Sequence, residues 1–406
     1  MRNVSIRMKY RLKVVDVIIM LTAFGVFSIS YLTYVSQPIH MLYYFIQVSI
    51  ILYGILHTIV YRKYDGMDLL VLLYIAVEGI STVINQGAFR EWIMHVKTLL
   101  FLYAAFKWVF NWNPHTFAYI LSRYSLLLTI LNTFSAVISY PKGMFYYDAF
   151  SPAFLLGGDN TSTRIYILSI LMCFLDGFYN YKESKHNFRV ILSLLNFLFY
   201  AFLRDIGNGK ICALILLLAY LLFEVFDLGI PNKTMKKIVF GNYILFFVIV
   251  ILQKIEFLSF LIVVILQRNL TITNRTIIWD ITIEKIAENA VLGNGYISGA
   301  EFESLLPSII GVNAHNTILM VCFTGGFVLS AIFLQMLYTA AKQYDKAIKQ
   351  PKMWFVPACY LAMFLRAQVE GGDDAYLIAI AACIVSITKA YLQQSKNLAS
   401  YDRRTP

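Results

Sequence analysis

Along the chain, apolar runs of about 18 to 25 residues alternate with short polar and charged segments, and the runs lack the two-residue alternation of a half-buried strand. At 1.5 Å rise per residue, a helix of that length covers a hydrocarbon core roughly 30 Å thick. Unpaired peptide groups in lipid cost several kcal/mol, so the spans must be helices or a closed barrel, and runs this long exclude barrel strands. The pattern predicts an all-α polytopic membrane protein. Its spans fall near residues 14–35, 39–60, 67–84, 92–110, 116–140, 161–180, 188–203, 210–227, 238–253, 314–341, 353–369 and 375–393. A thirteenth apolar stretch, Phe257–Leu266, is too short to cross and is expected to lie in the interface or to re-enter. No second domain, low-complexity tail or internal repeat is visible.

Composition agrees. Of the 406 residues 59% are hydrophobic and 14% charged, against roughly 25% charged in an average soluble domain. The net charge of +11 is spread among loops, which argues against a nucleic-acid partner and for a role in membrane orientation. With the N-terminus inside, segments on the cytoplasmic side carry roughly 20 Lys and Arg and the opposite side about 7, so both termini are expected in the cytoplasm. The basic start (Arg2, Arg7, Lys9, Arg11, Lys13) precedes a run too long for a signal peptide and lacking a small-residue cleavage site, so it reads as a retained first span. Cys173, Cys212, Cys322, Cys359 and Cys383 all fall in predicted spans without CxxC spacing, and imply neither disulfides nor structural zinc.

The three segments that are neither minimal nor strongly basic, Tyr140–Asn160, Arg204–Gly209 and Gln267–Asn313, all face outward on this topology. They are the candidate working surfaces. In the longest, 267–313, Asn274 is placed to cap a helix running to Asn289, with apolar residues at Ile277, Ile278, Ile281 and Ile286. This amphipathic helix is expected to lie along the membrane surface. Arg275 and Trp279, four residues apart, share one face of it, and it ends at Leu292-Gly-Asn-Gly295, where glycines permit a reversal. The chain returns at Asn313-Ala-His-Asn316, which puts His315 at the mouth of the tenth span, ahead of Gly325-Gly326.

Arg275-x-x-x-Trp279, then Gly293-x-Gly295, then His315-Asn316 opening an apolar helix with glycines at 325 and 326, resembles the O-antigen ligase and Wzy-type polysaccharide polymerase superfamily. The likeness covers roughly residues 274 to 327, and it rests on the order of these features within an outer loop. It implies a GT-C-like fold in a bacterial inner membrane and a glycosyltransferase that moves a glycan from an undecaprenyl-diphosphate-linked donor at the outer face, with inversion. It implies no cofactor and no metal. It also implies membrane lipid as the surroundings, and a chain-length regulator and a flippase as partners. The family's second basic residue, an arginine after a serine, corresponds here to Arg204-Asp-Ile-Gly-Asn-Gly-Lys210. Either Lys210 takes its place or Arg204 reaches in from the preceding span. A lysine offers a point charge where arginine offers a planar fork.

Such a transfer needs a base for the attacking hydroxyl and cations for the departing diphosphate. His315 suits the first role; Arg275 suits the second, with Lys210, Arg204 or Arg164 beside it. Each residue also has a plainer reading. A histidine at a helix mouth can cap backbone groups, Arg275 can anchor an interfacial helix to lipid phosphates, and Trp279 reads first as a headgroup-level anchor. Glu78, Lys97, Arg123, Arg164, Asp176, Glu224 and Arg366 lie within or near spans and are expected to face protein or water, or to snorkel. Glu370-Gly-Gly-Asp-Asp374 either touches sugar hydroxyls or ends a helix. The function expected is a polysaccharide polymerase. The alternatives are a ligase moving finished polymer to an acceptor and, from another class, a lipid-linked oligosaccharide flippase, against which the lack of repeated halves argues.

Overall fold

A computed structural model of the chain describes residues 13–62, 64–146, 152–180, 188–231, 233–251, 275–306, 313–347 and 353–402. The protein is an all-α, multi-pass membrane protein. Among the described residues, eight helices are long and apolar enough to cross a bilayer: α3 (Gln37–Val60), α4 (Gly66–Ile84), α5 (Phe89–Trp112), α6 (Pro114–Ile138), α7 (Asp159–Asn180), α9 (Gly207–Val225), α13 (Thr317–Ala347) and α15, whose apolar part is Asp374–Leu392. Three shorter apolar helices accompany them, α1 (Val14–Val26), α8 (Phe188–Leu203) and α14 (Phe355–Ala367). The remaining elements are α2 (Ser30–Val35), α10 (Thr234–Phe246, extended by a wider π turn over Phe247–Ile251), α11 (Arg275–Glu288) and α12 (Gly299–Ser304). Asn274, expected to cap α11, and the apolar stretch Phe257–Leu266 lie outside the described residues.

The expected first span, 14–35, is two helices. The chain leaves helical geometry at Phe27, the Ile29 N–H donates to the Tyr43 hydroxyl (3.2 Å), and the Tyr31 N–H donates to Leu155 O (3.2 Å), so α2 is tied to the segment between α6 and α7. That segment carries the only strands among the described residues, an antiparallel order of β1 (Phe145–Tyr146), β2 (Pro152–Phe154) and β3 (Gly157–Gly158). Asn132 and Ser135 of α6 receive its Leu156 and Leu155 N–H groups.

α7 and α15 sit at the middle of the bundle and α3 and α9 at its rim, as the buried share of each helix shows. α13 packs on α4, α10 and α15, and α14 on α7 and α9. A buried row on α6, Ser122, Ser125, Thr129 and Thr133, satisfies its hydroxyls on the helix's own carbonyls three or four residues back.

Candidate functional site

The site is built around a break in α13. Gly325 (φ −131°) and Gly326 (φ 62°) leave helical geometry, which frees backbone groups on both sides. The segment after α11 takes them up: the Asn294 N–H donates to Phe323 O (2.7 Å) and the Gly295 N–H to Thr324 O (3.0 Å), while the Phe327 N–H donates to Ala290 O (2.9 Å) and the Val328 N–H to Val291 O (3.3 Å). Ser81 and Asn85 of α4 add side-chain bonds to Thr324 O and Gly293 O. Glycine is required by the closeness of approach, since a Cβ on Gly326 would stand 2.3 Å from Val291 O and one on Gly293 2.5 Å from Gly326 N. The glycines read from sequence as a simple reversal therefore form one interlock between loop, α13 and α4.

From there the Tyr296 N–H donates to Thr82 Oγ1 (3.0 Å) and Tyr296 O accepts from the Ala88 N–H (2.7 Å), fixing that residue across the α4–α5 turn.

α11 is held by Trp279. The indole is completely buried, in a cluster with Ile278, Ile286, Phe302 and Phe323, and its Nε1 donates to Ala314 O at 2.8 Å. The expectation of a headgroup-level anchor is corrected: a ring in lipid headgroups would not be sealed by protein on every side. This bond sets the residue before His315 against α11, so Arg275 and His315, forty positions apart, become neighbours.

His315 has φ 46°, its N–H donates to Asn313 Oδ1 (2.7 Å), and its ring Nδ1 is buried with no hydrogen-bond partner among the described residues. Burial and, secondarily, the Arg275 charge push its pKa down to about 4. The imidazole is neutral at pH 7, and it is a weaker base than an ordinary histidine.

Arg275 Nη2 lies 3.3 Å from Glu370 Oε1, which also accepts from Asn208 Nδ2 (3.2 Å). Burial raises the Glu370 carboxyl above the ordinary carboxylate range, against the lowering pull of Arg366, Arg275 and Arg164. The turn 368–374 that carries Glu370 is tied to the start of α13: Asn316 Nδ2 donates to Gln368 O (2.9 Å) and Thr317 Oγ1 to Glu370 O (2.8 Å). Beyond Glu370, buried Asp373 takes Arg366 directly and Arg164 at 3.6 Å. Arg366 also donates to Asn160 O, and the Arg164 guanidinium lies 4.3 Å over the Tyr376 ring.

A cavity of about 750 Å³ opens beside this group. Arg164, Asn313, Thr317 and Tyr376 are among its lining residues, and so are Glu78, His95, Asp374 and Tyr296. Arg275, His315 and Glu370 are not among its lining residues.

Of the five residues singled out from sequence, three share this region: Arg275, His315 and Arg164. The other two hold carboxylates elsewhere. Arg204 grips Asp159 with both arms of its fork (Nε–Oδ1 3.1 Å, Nη2–Oδ2 3.0 Å), with its guanidinium 4.5 Å from the Phe154 ring, and Lys210 pairs with Asp205. The basic group around Glu370 is completed by Arg164 and Arg366. Sequence reasoning missed His95 and Tyr296 altogether. Each stands alone in its segment with no spacing motif, and the only available signal was a second ionisable group, Glu78, inside a neighbouring apolar run.

Set against known proteins, no family model matches the chain, and no curated protein or solved structure matches it either.

Proposed function

We propose that the protein is a polysaccharide polymerase of bacterial inner membranes, transferring a growing glycan from undecaprenyl diphosphate to a new lipid-linked repeat unit at the outer face. In this reading the chain has twelve spans and a GT-C-like arrangement, both termini are cytoplasmic, and 267–313 is the outer catalytic loop. The observation that carries the proposal is the convergence of Arg164, Arg275 and Arg366 on Glu370 and Asp373, beside His315 and next to a cavity of about 750 Å³. Three guanidiniums against two carboxylates leave one positive charge. A diphosphate arriving at Arg275 would supply the balancing negative charge.

The acceptor hydroxyl oxygen bonds to the anomeric carbon while the bond from that carbon to the diphosphate oxygen breaks, with inversion. The hydroxyl proton passes to the neutral His315 ring, and the electron pair leaves on the diphosphate, held by Arg275. A ligase would use the same residues on a different acceptor, and only product analysis separates the two.

The test is an extension assay with purified protein in detergent and a synthetic undecaprenyl-diphosphate repeat unit. Wild type and Arg204→Lys should give a ladder of products; Arg275→Ala and His315→Ala should give none while remaining folded. Absence of a ladder from folded wild type on its native repeat, or a normal ladder from His315→Ala, refutes the proposal.

A further inference from the structure

We infer that Glu78, His95 and Asp374 form a binding site for one divalent transition-metal ion on the wall of the cavity. The three residues come from α4, α5 and the start of α15, and their donor atoms lie within 4.8 Å of one another. His95 Nε2 stands 3.1 Å from Asp374 Oδ2 and 3.7 Å from Glu78 Oε1. Donors bonded to one ion at about 2.1 Å are roughly 3.0 to 3.4 Å apart at angles between square and tetrahedral, and the two distances from His95 lie close to that range.

A second observation separates this group from an ordinary ion pair. His95 Nε2 stands close enough to Asp374 Oδ2 to pair with it, whereas Glu78 Oε2 is buried without a hydrogen-bond partner among the described residues. Glu78 is 1% exposed and lines the cavity. The unpartnered Glu78 oxygen, beside a histidine and a second carboxylate, is what a plain His95–Asp374 pair leaves unexplained.

Charge argues the same way. Placing a carboxylate inside a protein costs several kcal/mol unless it is compensated. Among the described residues, His95 is the only basic group in ion-pair range of Glu78 or Asp374. Two carboxylates and a neutral imidazole balance a dication. The surroundings orient the ligands, as metal sites require: the Tyr74 hydroxyl donates to Asp374 Oδ2 (2.8 Å), and the Tyr296 ring lies 5.3 Å from the imidazole. One nitrogen and two carboxylate donors favour manganese or zinc over magnesium or calcium. Three protein ligands leave coordination positions directed to the cavity, where Arg90 and Arg164 also reach, so an oxyanion or hydroxyl of a bound molecule would complete the shell.

The inference rests on this geometry and stands or falls apart from the transferase reading, because its test uses the metal alone. Full-length protein in detergent, stripped with chelator, is titrated with Mn²⁺ while the free ion is followed by electron paramagnetic resonance. One ion should bind per chain, and Glu78→Gln, His95→Gln and Asp374→Asn should each weaken binding at least tenfold. Arg204→Lys should leave it unchanged. Should a variant fail to fold, pulsed resonance on the wild-type complex decides: hyperfine coupling to one imidazole nitrogen is expected, and its absence overturns the proposal. So does a lack of saturable binding, or full binding in all three variants.

Discussion

Gly326→Ala strikes the interlock on which the whole region depends. At φ 62° and ψ −159° the residue occupies a region essentially reserved for glycine, and holding alanine there costs about 1–3 kcal/mol. The new methyl would also stand 2.3 Å from Val291 O, a backbone atom that cannot turn aside. If the loop retreats to make room, the four backbone bonds across the break weaken, each contributing about 1 kcal/mol net. The expected loss is on the order of 2–5 kcal/mol, concentrated in segment 290–296 and in the second half of α13. Gly241→Ala in α10 is the control, since no atom lies within 4 Å of its Cβ position, and alanine there should be neutral or slightly stabilising. Two assays read the effect: thermal unfolding in detergent, and limited proteolysis followed by mapping of the cut sites. Gly326→Ala should melt several degrees lower and be cut between 288 and 299, where wild type and Gly241→Ala resist. Unchanged melting together with unchanged resistance would show that the break does not lock the loop, and the interlock would be refuted.

Three further predictions follow from the same geometry. Trp279→Phe keeps the buried ring but strands the Ala314 carbonyl, costing about 1–3 kcal/mol. Extension activity should fall with stability because the residue before His315 loses its tether, and activity at the wild-type level would refute that link. Glu370→Gln removes the carboxylate that competes for Arg275, so the apparent KM for a diphosphate-linked donor should drop by about fivefold, the equivalent of roughly 1 kcal/mol; a raised KM would mean that Glu370 positions Arg275 rather than competing for it. The His315 pKa, pushed down to about 4 from an ordinary value near 6.5, fixes a pH window. On acidification the unfolded chain takes up this proton first, so the stability held above pH 6.5 is lost progressively as pH falls toward 4. The melting temperature of wild type should therefore converge on that of His315→Gln between pH 7 and 4.5, and parallel curves would contradict the buried, neutral ring.

How far the sequence led can be judged residue by residue. Membrane spanning was legible because a bilayer imposes one length on every crossing, and soluble folds seldom need an uninterrupted apolar run of that length. The break within the first span was not, because the groups that receive its freed backbone, Tyr43 and Leu155, lie in other elements. The glycines at 293, 295, 325 and 326 were visible, but which of them meet was not: two turns and one interlock leave the same local signature. Trp279 misled for a related reason. An amphipathic helix on a membrane and one roofed over by the chain have the same apolar face, and what distinguishes them here is the Ala314 carbonyl, thirty-five residues downstream.

The basic residues show the sharper limit. Arg204 and Lys210 were candidates because they stand where the resembled family carries its second basic residue, yet each has an acidic neighbour in space, Asp159 and Asp205, that neutralises it. Arg164 and Arg366 converge on Asp373 from different helices, and Arg275 joins them only through Glu370. On the proposed reading, what distinguishes a diphosphate-binding cation from a structural one is the balance of charge around it. Asp159 matches Arg204 one to one, whereas the group at Glu370 and Asp373 carries one guanidinium more than it has carboxylates. On the cavity wall, Glu78 and Asp374 carry the opposite excess, with a single histidine beside them. Arg164 from the first group and Glu78, His95 and Asp374 from the second line one cavity, which suits a ligand that brings an anion and a cation that sits beside it. Neither excess can be read from a linear sequence, because each is a property of helices meeting.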